Sequence, residues 1–402
     1  MAEKVVVVGA GQSGASLVTK LRNDGFTGAI TLIGDESVPP YQRPPLSKKY
    51  LLGEMAEERL YLKPEAFYAE HEITLLTGAP AAAIDRAARE VVLGDDRIAY
   101  DALALTTGSR PRLLPAAIGG DLDGVYPVRT LADVDAMAPE VQPGRRVLII
   151  GGGYIGLEAA AVCAMKGLQV TLVEMAPRIL QRVAAPETSD FVRALHQGHG
   201  VEIREGVGLE RLTGEGRIAS AALSTGEELE VDFAIMGIGI TPNAALAEAA
   251  GLEIDNGIAV DGHCRTSDPA IYAAGDCASF PYKGARIRLE SVQNAIDQAE
   301  HVASVIMGGQ DAYLPYPWFW SDQYDARLQI AGLNTGYDSV VVRPGHRPGG
   351  QSIWYFQGIA LLAVDAVSDP KAYMQGKRWI EAGLSPDPNA VGNPETDLRG
   401  LC

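Results

Sequence analysis

The sequence has few cysteines and no pair of them at a spacing that supports chemistry. Four of the 402 residues are cysteine, at positions 163, 264, 277 and 402, and neither a CxxC nor a CxxxxC pattern occurs. Zinc sites and redox disulfides need two thiolates within reach of one another, so the local spacing supports neither. Cys163 lies in a helical pattern and is interpreted as a buried structural thiol, and no metal site is expected.

A basic excess and long apolar runs are also missing. The formal net charge is −17, which opposes binding to nucleic acid or to anionic lipid across the surface as a whole. The apolar runs, such as Val5–Val8 and Val147–Ile150, have the length of a strand rather than of a membrane span. The opening residues Met1–Lys4 lack the basic region of a signal peptide, so a cytoplasmic protein is expected.

Charge and tryptophan are unevenly distributed along the chain. Residues 280–402 hold 10 Lys/Arg against 13 Asp/Glu, out of 34 and 51 in the whole chain, so an acidic partner meets less repulsion at that end. All four tryptophans follow Tyr313, where short strand patterns and a helix pattern near Lys371–Ala382 predict an α+β domain. The Pro/Asn/Gly-rich tail after Pro386 is expected to be loosely ordered.

One supersecondary pattern occurs twice. The first copy reads strand Lys4–Val8, a glycine turn, a helix to about Asp24 and strand Ala29–Ile33; the second runs from strand Arg146–Ile150 to strand Gln169–Val173. Parallel strands joined by helices predict an α/β fold with two Rossmann-like dinucleotide-binding domains and the C-terminal α+β domain. The predicted boundaries are 1–112 with 240–312 for a discontinuous first dinucleotide-binding domain, 113–239 for the second and 313–402 for the C-terminal domain. Between the copies, Glu90–Leu93 and Ile98–Leu105 are predicted strands.

Each glycine turn has the spacing of a dinucleotide-binding fingerprint. In the first, Gly9 permits the tight turn, Gly11 lets the backbone approach a pyrophosphate, and Gly14 allows close contact of helix and sheet. The N-terminus of the following helix offers N–H groups and a partial positive charge to phosphate. Asp35, 26 positions after Gly9, is suited to the hydroxyl groups of a ribose.

The second turn has the same spacing, at Gly151, Gly153 and Gly156. Glu174 ends its second strand, where a carboxylate accepts a hydrogen bond from the adenosine ribose 2′-OH and repels a 2′-phosphate. The sequence therefore predicts a preference for NADH over NADPH, although Arg178 and Arg182 leave a 2′-phosphate partner open. Two dinucleotide sites in one chain imply electron transfer between their ligands.

A third signal is the segment Thr266–Asp276, a strand pattern ending in Gly-Asp. It resembles the second FAD motif of the glutathione-reductase-like flavoproteins. Within that superfamily the chain resembles, over nearly its whole length, the oxygenase-coupled NADH–ferredoxin reductases of the putidaredoxin reductase type. The pieces that carry this resemblance are Arg43–Lys48, Thr107–Arg112, Val128–Leu131, Arg288–Asn294 and Pro317–Gln323.

The resemblance implies particular site residues. It places FAD contacts at Ser13, Asp35, Arg43, Lys48, Ala81, Arg129, Asp276 and Val292. It also implies that Lys48 brings a cation to the isoalloxazine and that Glu158 lies beside the nicotinamide, paired with Lys48. Val292 is expected to act through its backbone, at the start of a helix pattern Leu289–Met307 whose N-terminal amides point at the flavin. Trp320 is expected against the flavin.

The resemblance further implies that electrons pass from NADH to FAD and then singly to a small acidic [2Fe–2S] ferredoxin, which serves an oxygenase such as a cytochrome P450. Because both proteins are acidic, docking needs local cations. The candidates are Arg286, Arg288, Arg327, Arg343, Arg347, Lys377 and Arg378.

Three other functions share parts of this pattern. A thiol or peroxide flavoenzyme needs a cysteine on or beside the first FAD helix, and Gly11–Lys48 contains none. An NADH-dependent reductase of a quinone or a radical acceptor remains open. A redox signalling flavoprotein similar to apoptosis-inducing factor shares the fold and the nucleotide sites.

Overall fold

The computed structural model describes residues 2–346 and 348–402, so Arg347, one of the predicted docking cations, lies outside the described residues. The chain divides into two units that alternate along the sequence. Unit 1 comprises Met1–Arg43, Ala56–Arg110 and Ile240–Pro315, and unit 2 comprises Pro44–Met55, Pro111–Gly239 and Tyr316–Cys402.

Unit 1 is built on a five-stranded parallel sheet. In hydrogen-bonded order its strands are Ile271–Ala273, Ala102–Leu105, Lys4–Val8, Ala29–Ile33 and Ile73–Leu76. The central strand reads Lys-Val-Val-Val-Val, and its four valines are buried. A continuous apolar run is typical of a parallel strand that is covered on both faces, and for this reason Lys4–Val8 could be predicted to the residue.

The remaining elements of unit 1 are short strands and helices. One antiparallel sheet contains Ala83–Asp85, Glu90–Leu93 and Asp96–Ala99, and another sheet contains Ile258–Ala259, Ala278–Tyr282 and Ala285–Ile287. The helices are Gln12–Asn23, Glu65–Glu70, Ala245–Ala249 and Val292–Ile306, with a 3₁₀ turn at Glu57–Arg59. The predicted single strand Ile98–Leu105 is wrong, because the carboxylate of Asp101 accepts the backbone N–H groups of Glu3 and Lys4 at 2.8 and 2.9 Å and separates two strands there.

Unit 2 contains a second parallel sheet, whose central strands have the same order as those of unit 1 when the sheet is read from its other edge. Its strands are Glu202–Glu205, Gln169–Glu174, Arg146–Ile150, Phe233–Met236 and Val125–Pro127. Beside it in the chain lies an antiparallel sheet of Leu209–Thr213, Ser220–Leu223 and Glu228–Glu230. The helices of this part are Leu131–Met137, Tyr154–Met165 and Pro186–Gly198, with 3₁₀ turns at Pro44–Ser47, Ala116–Ile118 and Ala138–Glu140. Short strands at Ser109–Pro111 and Ile240–Pro242 lie at the chain positions where the division between units falls.

The C-terminal part of unit 2 is an antiparallel sheet with a helix packed on it. The strand order is Trp318–Gln323, Ala326–Gly332, Ala360–Val367, Gln351–Gln357 and Ser339–Pro344. The helices are Pro370–Ala382 and Pro388–Gly392, followed by a 3₁₀ turn at Leu398–Gly400. Two parallel sheets that share the order of four of their five strands, followed by an antiparallel sheet with helices, confirm the predicted fold class.

Arg343 and the C-terminal tail differ from their predictions. Arg343 is only 3% exposed, and its guanidinium donates to the carbonyl oxygens of Val391, Asn393, Pro394 and Thr396 at 2.6–3.1 Å. It is therefore unavailable to a docking partner. The same four bonds hold the tail that was expected to be loosely ordered, because the planar guanidinium presents several donors to its carbonyl groups.

Replacing Arg343 should release this tail. Arg343→Ala leaves four carbonyl groups without their donor, and we expect the free energy of unfolding to fall by roughly 3 kcal/mol or more. Thermal unfolding, with limited proteolysis that maps cleavage after Pro386, measures both effects. Arg378→Ala, which removes an exposed cation, is the control and should change neither. Unchanged protease resistance in Arg343→Ala would contradict this role.

Candidate functional site

The glycine turn of unit 1 contains glycines that the fold requires and one that it does not. A Cβ on Gly9, whose φ is +115°, meets the carbonyl oxygen of Thr106 at 2.2 Å, and a Cβ on Gly14 meets the carbonyl oxygen of Gly9 at 2.2 Å. Apart from its chain neighbours, no atom of the described residues lies within 4 Å of a Cβ on Gly11. Gly11 is also the N-cap of helix Gln12–Asn23, and no side chain caps that helix. The open space and the uncapped amides fit a pyrophosphate.

Two of the predicted FAD residues, Ser13 and Asp276, lie close to this turn within unit 1. The hydroxyl of Ser13 donates to the carbonyl of Ala295 at 2.8 Å, which joins the first helix to helix Val292–Ile306. A Cβ on Gly275 meets Ser13 Oγ at 2.4 Å, so the Gly-Asp motif packs directly against the turn. Asp276 accepts a hydrogen bond from Ser109 at 2.7 Å.

Val292 begins its helix, as predicted for its backbone, although the predicted start at Leu289 is wrong. Ser291 is the N-cap, and its hydroxyl accepts from the backbone N–H of Asn294 at 3.2 Å. Because Ser291 caps the helix in this way, Leu289 and Glu290 are excluded from it. The helix N-terminus therefore begins 16 residues after Asp276.

The other predicted FAD residues are placed less decisively. Asp35 follows strand Ala29–Ile33, while its neighbour Glu36 pairs with Arg43 and accepts from the Tyr41 hydroxyl at 2.6 Å. The structure therefore gives Arg43 a carboxylate partner that the sequence pattern did not indicate. Ala81 is half-buried and packs against the core of unit 1. Arg129 belongs to unit 2, where its backbone N–H donates to Asp133 at 3.1 Å.

The glycine turn of unit 2 repeats the arrangement. Gly151 has a φ of +104° and its Cβ meets the carbonyl oxygen of Gly237 at 2.5 Å, while a Cβ on Gly156 meets the carbonyl oxygen of Gly151 at 2.2 Å. A Cβ on Gly153 meets its nearest protein atom only at 4.0 Å, and no side chain caps helix Tyr154–Met165. This turn also fits the pyrophosphate of a dinucleotide.

Glu174 is held at this second turn by backbone amides. Its Oε2 accepts from the N–H of Gly152 at 2.6 Å, and its Oε1 accepts from the N–H of Ala176 at 2.8 Å. The side chain of Arg178 is engaged elsewhere, because it donates to Ser189 Oγ at 2.6 Å and to the carbonyl of Ala184 at 2.8 Å. Arg178 and Arg182 were the two candidate partners for a 2′-phosphate. The side chain of Arg178 is therefore occupied by contacts within the protein.

The predicted pair of Lys48 and Glu158 is present within unit 2. Lys48 Nζ lies 2.6 Å from Glu158 Oε2, and Glu158 is only 2% exposed. Two serines that the sequence reasoning missed also donate to this carboxylate: Ser47 Oγ to Oε2 and Ser321 Oγ to Oε1, each at 2.7 Å. A buried carboxylate needs such donors. Ser47 could have been found from the sequence, because it is adjacent to Lys48. Ser321 could not, because only the fold brings it to Glu158.

Trp320 lies on the same strand as Ser321 and next to it. Because neighbouring side chains of a strand point to opposite faces, its ring lies on the face away from the hydroxyl that reaches Glu158. The ring is half-buried, with its centroid 5.5 Å from that of Trp318 and 6.4 Å from that of Phe319.

A second buried carboxylate in unit 2 is Asp365. Its Oδ2 accepts from the hydroxyls of Tyr355 and Thr188, the latter at 2.7 Å, while its Oδ1 has no hydrogen-bond partner among the described residues. Burial raises the pKa of Asp365 to about 6. The folded protein therefore binds a proton at Asp365 more tightly than the unfolded chain does.

Replacing Asp365 by Asn should change how stability depends on pH. The pKa of Asp365 is about 6 in the folded protein and 3.8 in the unfolded chain, so the folded state holds its proton to a higher pH. The contribution of Asp365 to the free energy of unfolding therefore falls as the pH rises from about 4 to about 6. Asp365→Asn keeps an acceptor for both hydroxyls and cannot ionise; at pH 8 it should raise the free energy of unfolding by roughly 2 kcal/mol, a gain that disappears near pH 4. Thermal unfolding across this pH range measures the change in stability. Asp322→Asn, at an exposed position, is the control, and its effect on stability should not depend on pH. Equal midpoints at pH 8 for wild type and Asp365→Asn would contradict it.

No helix in residues 2–346 and 348–402 combines the length and apolarity needed to cross a membrane. Two Rossmann-like sheets, each with an open glycine at the tip of its turn, define the class of oxidoreductases that bind two nucleotides. The chain belongs to the pyridine nucleotide-disulphide oxidoreductase family, whose model matches residues 3–299. A second family model, reductase C-terminal, matches residues 318–402.

Individual relatives cover almost the whole chain. It is 42% identical to putidaredoxin reductase CamA of Pseudomonas putida, over 99% of this chain and 96% of that protein. It is 44% identical to a ferredoxin–NAD(P)(+) reductase of Sphingomonas sp, over 99% of this chain and 97% of that protein. Its fold matches the crystal structure of a covalent putidaredoxin reductase–putidaredoxin complex with a TM-score of 0.96 at 40% identity, over 99% of this chain and 98% of that chain.

Proposed function

We propose that this chain is an FAD-containing NADH–ferredoxin reductase that passes electrons singly to a [2Fe–2S] ferredoxin serving an oxygenase such as a cytochrome P450. The observation that carries the proposal is the pair of glycine turns, Gly9–Gly14 and Gly151–Gly156, each with a middle glycine whose Cβ position is open. They occur in a chain that resembles putidaredoxin reductase from end to end. FAD, when bound, takes two electrons from NADH and releases them one at a time.

Unit 1 supplies the FAD-binding turn in this proposal. Gly11 and the amides after it receive the pyrophosphate, Asp35 binds the ribose, and Asp276 binds the ribityl chain or the pyrophosphate. The N-terminus of helix Val292–Ile306 directs its amides and its partial positive charge at the flavin. The remaining proposed FAD contacts are Gly9, Ser13, Gly14, Arg43, Lys48, Ala81 and Arg129.

Unit 2 supplies the NADH-binding turn. Gly151, Gly153 and Gly156 receive the pyrophosphate, and Glu174 accepts from the ribose 2′-OH. Glu158 and Lys48 orient the reacting groups as an ion pair, and Trp320 lies at the flavin. We assign residues 1–112 and 240–312 to FAD, 113–239 to NAD and 313–402 to the C-terminal domain, whose proposed extent agrees closely with the matched range 318–402.

An external one-electron acceptor fits the cysteines better than an internal thiol relay. Cys163, Cys264 and Cys277 are buried, and burial raises the pKa of the Cys163 and Cys264 thiols to about 12. A thiolate is the reactive form, so these thiols are not poised for exchange. A cytoplasmic location is part of the proposal, because all four cysteines are unpaired, as is usual where thiols are kept reduced.

The acceptor is tested directly by turnover. Purified protein should be yellow, should bleach with NADH in a stopped-flow spectrometer, and should reduce an acidic [2Fe–2S] ferredoxin at a catalytic rate. Rapid turnover of a quinone together with failure on every [2Fe–2S] protein would overturn the assignment of the acceptor. A flavin that NADH reduces only slowly and without turnover would favour a signalling role.

Arg378, on helix Pro370–Ala382, remains a candidate for ferredoxin docking. Arg378 is exposed, whereas Arg288 is 10% exposed, donates to the carbonyl of Asp276 and pairs with Glu290. Arg378→Glu should raise the ferredoxin KM about fivefold at low salt and leave NADH-to-ferricyanide turnover unchanged, because a charge in the rim of an interface acts mainly on association. Arg97→Glu, the same charge change in unit 1, is the control. An equal loss in both assays would defeat the assignment of Arg378.

A further inference from the structure

Behind Glu158, a continuous series of hydrogen bonds runs through unit 2. Ser321 Oγ donates to Glu158 Oε1 at 2.7 Å, and Gln323 Nε2 donates to Ser321 Oγ at 3.1 Å. Gln323 Oε1 lies 2.8 Å from His196 Nε2, and the hydroxyl of Tyr324 lies 3.2 Å from His196 Nδ1. All of these side chains except Tyr324 are buried, so they have little access to water as an alternative partner.

The direction of the series follows from the chemistry of its members. A carboxylate only accepts, so the single hydrogen of the Ser321 hydroxyl goes to Glu158. Ser321 must then accept from Gln323, which places the amide nitrogen toward Ser321 and the amide oxygen toward His196. Burial lowers the pKa of His196 to about 4, so the ring is neutral near pH 7 and carries one N–H. That N–H lies on Nε2, and Nδ1 accepts from Tyr324.

The far end of the series is anchored by a strained residue. Tyr324 lies in the turn between strands Trp318–Gln323 and Ala326–Gly332 with a φ of +55°, in the left-handed region where the backbone of a non-glycine residue is strained. Its ring stacks on His199, with centroids 3.7 Å apart and planes 7° apart. Stacking and the bond to His196 hold the strained backbone, so the turn fixes the register of Ser321 and Gln323 against helix Pro186–Gly198.

We propose that Ser321, Gln323, His196 and Tyr324 are positioning residues that fix the carboxylate of Glu158, and through it the side chain of Lys48, in the orientation that NADH oxidation requires. This inference rests on the proposed function. Ser47 and Lys48 hold one oxygen of the carboxylate, and Ser321 holds the other. Hydrogen bonds to a charged acceptor are the strongest, and aligned donors polarise one another, so the effect of losing a member falls with its distance from Glu158.

The kinetic test compares wild type with four variants in stopped-flow reduction of the flavin by NADH. Ser321→Ala should lower the limiting rate at least tenfold, Tyr324→Phe about two- to threefold, and Ser321→Thr, which keeps the hydroxyl, less than twofold. The Kd for NADH should stay within twofold in each. Ser352→Ala is the matched control, because this buried serine of the same sheet accepts from Trp354 at 2.9 Å and takes no part in the series. Its rate should equal that of wild type even where its stability falls.

A spectroscopic test does not depend on turnover. In protein labelled with ¹⁵N-histidine, the His196 signals, assigned by their loss in His196→Gln, should show a neutral ring with the proton on Nε2 from pH 6 to pH 8. A proton on Nδ1, a wild-type rate in Ser321→Ala, or a rate in Ser321→Thr as slow as that in Ser321→Ala would each overturn the inference. If NADH fails to bleach the wild-type flavin, the proposed function fails instead, and the ¹⁵N spectra still decide the direction of the series.

Discussion

Gly11→Ala should fold normally and be purified without a yellow chromophore. The backbone at Gly11 has a φ of −101° and a ψ of −158°, which alanine adopts without strain. Apart from its chain neighbours, the added methyl group meets no atom of the described residues within 4 Å. The methyl group instead occupies the space proposed for the FAD pyrophosphate. We expect FAD affinity to fall at least 100-fold, which corresponds to about 2.7 kcal/mol. The ratio of flavin to protein absorbance, and titration of the apoprotein with FAD, measure the loss.

Two control variants at other glycines distinguish an effect on ligand binding from an effect on folding. Gly14→Ala places its methyl group 2.2 Å from the carbonyl oxygen of Gly9, so this variant should destabilise the apoprotein itself. Gly153→Ala makes the equivalent change at the open position of the second turn; it should keep its flavin and raise the Kd for NADH. Full flavin content in Gly11→Ala would show that the pyrophosphate does not bind at the first turn.

How far the fold follows from the sequence depends on where each element finds its partners. Lys4–Val8 and Arg146–Ile150 could be placed to the residue because a strand buried on both faces is a continuous apolar run between a polar start and a glycine turn. Strand Trp318–Gln323 was noticed only as a family motif, and strand Ala360–Val367 was not predicted. Their side chains are selected by neighbours across the sheet, which a single sequence does not display.

The candidate site divides in the same way. The glycines and Glu174 carry a local spacing, and the resemblance added Lys48 and Glu158, but the hydroxyl of Ser321 reaches Glu158 from 163 positions away in the chain. Arg343 shows the converse, since its charge predicted an exposed docking group and the fold buries it among carbonyl oxygens. Pairing across the chain, rather than residue type, decides whether such a polar side chain is functional, structural or exposed.

Glu174→Arg should move the nucleotide preference from NADH toward NADPH by at least 100-fold in the ratio of kcat/KM values. The substitution removes the acceptor proposed for the ribose 2′-OH and replaces a group that repels a 2′-phosphate with one that can pair with it. Steady-state kinetics with each nucleotide and ferricyanide measure the ratio. Flavin content reports whether the rest of the protein is intact, because the FAD turn belongs to the other unit.

The contacts of Glu174 make the control for this substitution specific. Arginine also loses the bonds from the N–H groups of Gly152 and Ala176, so some loss of NADH activity reflects a loosened turn rather than a lost ribose contact. Glu174→Gln removes the charge and keeps an acceptor for one of these two amides; it should weaken discrimination against NADPH without reversing it. Since Arg178 is already bonded to Ser189 and Ala184, it should not supply the 2′-phosphate partner in that variant. An NADH/NADPH ratio that is the same in wild type and Glu174→Arg would show that another group, with Arg182 the first candidate, governs the choice.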